Sequence, residues 1–174
     1  MAYFSLLKEQ LRQIRPQAAR FALFTLEGCL LGLFLKEHIV GVAPCYGPSM
    51  LPTLHATGDY LLFDRFSHRL GNIQTGDIVL CTSPSDPGKV ICKRVLGLPG
   101  DSVDIDPRRA TTKKIKIPPG HVWLQGDNMA HSVDSRFHGP IPMGLLQGKV
   151  RAVLFPSFKL VQGGLQKIGE VYPV

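Results

Sequence analysis

At 174 residues and 44% hydrophobic content, the chain is too apolar for a disordered segment and is sized for one modest domain with an attachment. Its formal net charge of +7 suits an anionic surface, yet its aromatics are not interleaved with its basic residues and it has no nucleic-acid motif. These features exclude nucleic acid as a partner and leave membrane lipids or a simply solvated basic surface. Four cysteines without Cys-x-x-Cys or Cys/His ligand spacing give no metal site and no disulfide framework.

In residues 1–16, Phe4, Leu7, Leu11 and Ile14 recur at three- and four-residue steps, with Lys8, Arg12 and Arg15 largely off the stripe. This spacing predicts a short amphipathic helix ended by Pro16, suited to targeting, to lying on a membrane or to packing on the body. Residues 18–35 follow, apolar from Phe21 onward, interrupted by Glu27 and closed by Lys36, Glu37 and His38. Eighteen helical residues reach roughly 27 Å, marginal for a hydrocarbon core of about 30 Å. A single transmembrane helix is expected, within an anchor over 17–43, ahead of a buried helix or a cleaved signal peptide. The excess of Lys8, Arg12, Arg15 and Arg20 over Glu9 then keeps the N-terminus on the positive-inside face, with the body across the membrane.

From 44 to 174 the frequent Pro and Gly and scarce helical periodicity predict a mainly β body. It opens on GPSMLPTL at 47–54, where Ser49 lies between two prolines that stiffen the backbone. Taken alone, such a serine reads as an ordinary turn residue. Strands are expected at 59–64 (DYLLFD) and 76–81 (GDIVLC), then a turn-rich loop at 82–89 and a strand at 90–96. Strand alternation puts Lys93 on one face with Ile91 and Val95, and Arg94 on the other with Cys92. That face desolvates the amine, although an edge lysine that discourages aggregation would read the same way. After a turn at 98–101 and the basic run 108–116 come a strand at 120–125, a polar loop over 126–136 and a closing strand at 148–156.

A serine hydroxyl needs a base to become a nucleophile. None of the six histidines sits in a triad setting and no Gly-x-Ser-x-Gly elbow exists, which leaves lysine as the other base. Burial on an apolar strand can supply the roughly 4 kcal/mol that brings a lysine pKa down by three units. Ser49 and Lys93 are thus a candidate nucleophile and base, although nothing in their separation requires contact.

Three stretches then resemble the signature boxes of type I signal peptidases, in the family's order: GPSMLPTL at 47–54, KRVLGLPGD at 93–101, and GDN followed by Ser132, Asp134, Ser135 and Arg136. Together they span most of the chain from about 45 to 156, and SPSDP, ICKRV, GHVWL and GPIP are most similar to the mitochondrial inner membrane branch, subunit 1 type. The resemblance implies an antiparallel signal-peptidase-like β fold and a membrane-anchored serine endopeptidase, without cofactor, that removes sorting sequences from precursor proteins. It implies Ser49 as nucleophile, Lys93 as general base, Ser132 as the hydroxyl orienting the lysine, an Asp134–Arg136 ion pair and a supporting role for Asp127. Met50 and Leu51 are candidates for lining the substrate pockets, and the Ser49 N–H is a candidate oxyanion donor. Where some family members carry a second hydroxyl donor, two residues before the nucleophile, this chain has Gly47. The resemblance further implies a related second subunit, a matrix N-terminus and a catalytic domain in the intermembrane space. Two other readings are a soluble self-cleaving repressor-type Ser-Lys protease and a non-catalytic stabilising subunit.

Overall fold

A computed structural model describes the backbone of residues 2–106 and 113–165, and the side chains of these apart from residues 2–16 and 19. The expected stripe of the first sixteen residues and most of the basic run therefore lie outside the described residues. The chain divides into two units, Met1–Ile39 and Val40–Val174.

The first unit is one helix, α1, Ala2–His38. The expected stop at Pro16 is corrected. Proline removes one backbone donor, but once a helix is nucleated each added residue gains a hydrogen bond, and the Leu- and Ala-rich run after Pro16 carries the helix onward. Phe21, Phe24, Leu30, Leu33 and Phe34 along it are exposed. No helix among the described residues is long and apolar enough to cross a membrane. The expected transmembrane helix therefore has no such window, the apolar run being divided by Glu27 and bounded by Arg20, Lys36 and Glu37.

The second unit is mainly β and antiparallel throughout. Its strands are β1 Val40–Cys45, β2 Asp59–Asp64, β3 Ile78–Thr82, β4 Val90–Gly97, β5 Ser102–Asp104, β6 Lys114–Lys116, β7 His121–Gln125, β8 Ile141–Pro142, β9 Leu146–Phe155 and β10 Lys159–Leu160. The main sheet runs β1-β2-β9-β3-β4-β7-β8, with β10 on β9, while β5 and β6 form a separate hairpin. Register shifts in the β2/β9, β3/β9 and β4/β7 pairs curl the sheet, as bulges do.

Strand β1 begins at Val40, so the last four residues assigned to the anchor belong to the body. Its pairing from Val40↔Asp64 to Cys45↔Asp59 supplies hydrogen bonds that a local reading does not see. Pro44 is tolerated there because β1 is an edge strand.

Strand β3 is apolar on both faces because it separates two cores. Ile78 and Leu80 join Met50, Leu54, Leu61, Phe63 and Cys92, whereas Val79 and Cys81 join Val95, Val122, Leu124 and Ile141. Successive strand residues point to opposite sides, so a continuous apolar run is what a two-core arrangement requires.

Candidate active site

Ser49 sits in a short 3-10 turn, Pro48–Met50, that follows β1. Pro48 occupies the start of this turn, where its missing N–H costs nothing. Met50, 1% exposed, plugs the first core and holds the turn down. Before it, Gly47 has φ 109°, in the region that side chains rarely adopt, and its N–H donates to the Ala56 carbonyl at 3.0 Å. This explains why a hydroxyl residue is missing two positions before Ser49: the backbone there needs glycine, and its amide is already engaged.

Lys93 lies near the middle of β4 and is 4% exposed. β4 pairs with β3 along Val90–Arg94 and with β7 at Arg94, Val95 and Gly97. Lys93 itself pairs on one side only, but its burial means that it is not an aggregation-blocking edge lysine with its amine in water. Ile91 and Val95 pack in the second core, on the face that alternation assigns to Lys93. Burial lowers the Lys93 pKa below its ordinary value. Asp134 and the Cys92 and Cys45 sulfurs pull the other way, while Arg136 reinforces the shift.

Ser49 and Lys93 line one cleft of about 790 Å³. Ala43, Cys45, Leu80 and Ile91 supply apolar wall, and Asp86 and His138 add polar groups. Met50 and Leu51, the expected pocket residues, do not line it. Met50 faces inward because a side chain in a one-turn element can either brace the core or meet substrate, not both.

The polar loop after β7 braces both elements. Asn128 N–H donates to the Ser49 carbonyl at 3.0 Å, and a Cβ on Gly126 would come within 2.5 Å of that same oxygen and against Ser132. Only glycine fits. Asp134, fully buried, accepts from Ser132 Oγ at 2.7 Å, from the Gly126 N–H at 3.0 Å and from Arg136 Nε at 2.8 Å. Burial pushes the Asp134 carboxyl up, but the hydrogen bonds from Arg136, Gly126 and Ser132 and the Arg136 charge outweigh it and leave the pKa lowered. Arg136 also donates to the Ser132 carbonyl at 3.1 Å, closing a ring around the hydroxyl.

Sequence reasoning missed a second network. Arg94 grips Asp127 with two hydrogen bonds, Nε to Oδ1 at 2.7 Å and Nη2 to Oδ2 at 2.6 Å, and Thr53 Oγ1 donates to Asp127 Oδ2 at 2.5 Å. Arg94 also donates to the Gly76 and Gly164 carbonyls at 2.7 and 2.8 Å. One residue from each of the three distinctive stretches meets here, so the fork beside Lys93 holds the catalytic candidates in register. The adjacent Lys93-Arg94 pair on opposite faces was the available signal, since a buried arginine needs a carboxylate partner.

The family model described as signal peptidase, peptidase S26, matches residues 18–111 and 107–155. Mitochondrial inner membrane protease subunit 1 of Schizosaccharomyces pombe is 46% identical over 123 residues, covering 70% of this chain and 78% of that one. The protein of the same name from Mus musculus is 42% identical over 148 residues, covering 84% and 88%. Mitochondrial inner membrane protease subunit 2 of Saccharomyces cerevisiae is 37% identical over 133 residues, covering 71% and 73%.

Proposed function

We propose, since this chain belongs to the signal peptidase family peptidase S26, that it is a serine endopeptidase working through a Ser49–Lys93 dyad. The observation that carries this reading is a lysine with 4% exposure and a lowered pKa, lining the same cleft as a serine on a proline-stiffened turn. Neutral Lys93 takes the Ser49 proton as Oγ attacks the scissile carbonyl. The resulting ammonium then protonates the leaving amine, and water activated by the same amine hydrolyses the acyl-enzyme. Ser132 spends its one proton on Asp134, so its oxygen is left to accept from Lys93 and orient it. The Ser49 N–H stabilises the oxyanion.

The substrate is a precursor with a sorting sequence, bound as an extended strand. Residues 90–93 of β4 pair only with β3 among the described strands, so their other edge is open to a peptide. Ala43, Leu80 and Ile91 take the apolar side chains that Met50 and Leu51 do not reach.

The names of the relatives support placement at the mitochondrial inner membrane beside a related second subunit; the catalytic unit facing the intermembrane space is what the family resemblance implies. The exposed Phe and Leu side chains of α1 support membrane attachment through it. The expected result is that the chain sediments with the membranes at neutral pH and physiological salt. Release into the supernatant would refute the attachment.

The dyad is tested by the pH dependence of cleavage of a sorting-sequence peptide, with and without the second subunit. The neutral amine is the active form and burial lowers its pKa, so kcat/KM rises with pH through a midpoint below the ordinary 10.5. A rate that climbs only above about pH 10 would mean that the base is an exposed amine and would overturn the assignment.

A further inference from the structure

The loop between β2 and β3 carries charge and apolar surface that neither the cleft nor the cores use. It begins Arg65-Phe66-Ser67-His68-Arg69-Leu70-Gly71, and no acidic residue occurs from Arg65 to Gly76. Only Ile39 separates α1 from β1, and Val40 pairs with Asp64, so the loop opens beside the point where the chain enters the β unit.

Both ends of the loop are pinned. Ser67 donates to buried Asp64 through its N–H at 2.7 Å and its Oγ at 2.9 Å, while Arg151 Nε donates to the same carboxylate at 2.6 Å. Asn72 N–H donates to the Ser67 carbonyl at 2.9 Å, and Ile73 is buried in the second core. Between these anchors the Leu70 N–H donates to the Phe66 carbonyl at 3.0 Å, in a turn that leaves Leu70 67% exposed and Phe66 exposed as well.

The acids around the loop are already neutralised. Burial pushes the Asp64 carboxyl up, but the hydrogen bonds from Ser67 and Arg151 outweigh it and leave the pKa lowered, so Asp64 balances Arg151. Asp77 pairs with Lys149. Arg65 and Arg69 pair with no carboxylate among the described residues, and Arg65 lies 5.1 Å above the Phe63 ring instead. His68, its pKa lowered by burial and by Arg69, is mainly neutral at pH 7. Two unbalanced guanidinium groups thus share one loop with two exposed apolar side chains. A guanidinium matches a phosphate with paired hydrogen bonds, and an apolar tip between basic residues suits the boundary of headgroups and acyl chains.

We propose that the 65–71 loop is a docking site for an anionic bilayer, in which Arg65 and Arg69 take lipid phosphates while Leu70 enters the headgroup–acyl boundary beside Phe66. The site rests on the reading of membrane attachment and adds to it which part of the β unit meets the lipid. It does not depend on the peptidase chemistry.

The test uses the full chain carrying Leu70→Trp, reconstituted with vesicles of phosphatidylglycerol and brominated phosphatidylcholine. The parent supplies the background, because its sole tryptophan, Trp123, is buried. Bromine is expected to quench the added tryptophan. Each arginine near an anionic leaflet favours docking about fivefold, so Arg65→Gln and Arg69→Gln together should weaken it by about 25-fold and abolish the quenching. Sodium chloride at about 1 M, which screens charges beyond about 3 Å, should do the same. If the double variant melts early, Arg69→Glu alone, at an exposed side chain without an ion pair, is expected to give the same loss. A chain that sediments with the vesicles but shows no quenching would overturn the loop site alone. Equal quenching in brominated phosphatidylcholine without phosphatidylglycerol would overturn its selection of anionic lipid. A chain that sediments with neither vesicle would overturn the attachment and the site together.

Discussion

Ser49→Ala and Lys93→Met each reduce cleavage of a sorting-sequence peptide by at least about 10⁴-fold, and combining them costs little more, because nucleophile and base act as one unit. Neither variant unfolds the protein. Ser49 contributes its carbonyl, not its side chain, to the bond with Asn128, and alanine keeps that carbonyl. Methionine keeps the apolar stem of Lys93 among Ile91 and Val95 while removing an amine that burial already penalises, so the unfolding midpoint of Lys93→Met stays level or rises. Rates measured beside urea melts decide the matter. Cleavage within tenfold of the parent in either variant would exclude the dyad, whereas lost cleavage with a collapsed melt would show only that the variant fails to fold.

Asp134→Ala carries the largest expected loss of stability, about 3–5 kcal/mol, because it strands a buried guanidinium rather than removing a balanced pair. Arg136, the Gly126 N–H and the Ser132 hydroxyl all lose their acceptor, in a place water does not reach. Because the fold lowers the Asp134 pKa, its contribution is complete above the unfolded carboxyl value near 3.8 and is lost as the pH falls through the lower folded value. Comparison at neutral pH therefore reads the whole effect. The sole tryptophan, Trp123, is buried on β7 close to this loop and reports unfolding directly by fluorescence. A urea midpoint that does not move would mean that the Asp134 ring holds nothing together. Cleavage should fall as well, since Ser132 loses the partner that sets its hydroxyl.

Relief of the carboxylate should also show in Lys93. Asp134 raises the lysine pKa, so among molecules of Asp134→Ala that remain folded the acid limb of the rate profile moves to lower pH. That shift separates an electrostatic role from a purely structural one.

Sequence by itself determined the features that depend on neighbours along the chain. Strand alternation around Lys93 placed it with Ile91 and Val95, two prolines marked Ser49 as lying on stiff backbone, and the turn-rich body read as mainly β. The three distinctive stretches identified the family. What only the tertiary structure decided depends on residues far apart in sequence. β1 is a strand because β2 pairs with it, and the local apolar run concealed this. Met50 went to the core and left the cleft to Ala43, Leu80 and Ile91. Thr53, Arg94 and Asp127 meet at one carboxylate through the curl of a sheet whose register shifts no local pattern encodes. The physical reason is that backbone geometry assigns a side chain to a face from its own position, whereas its partner on that face is chosen by long-range strand pairing and by the packing of both cores at once.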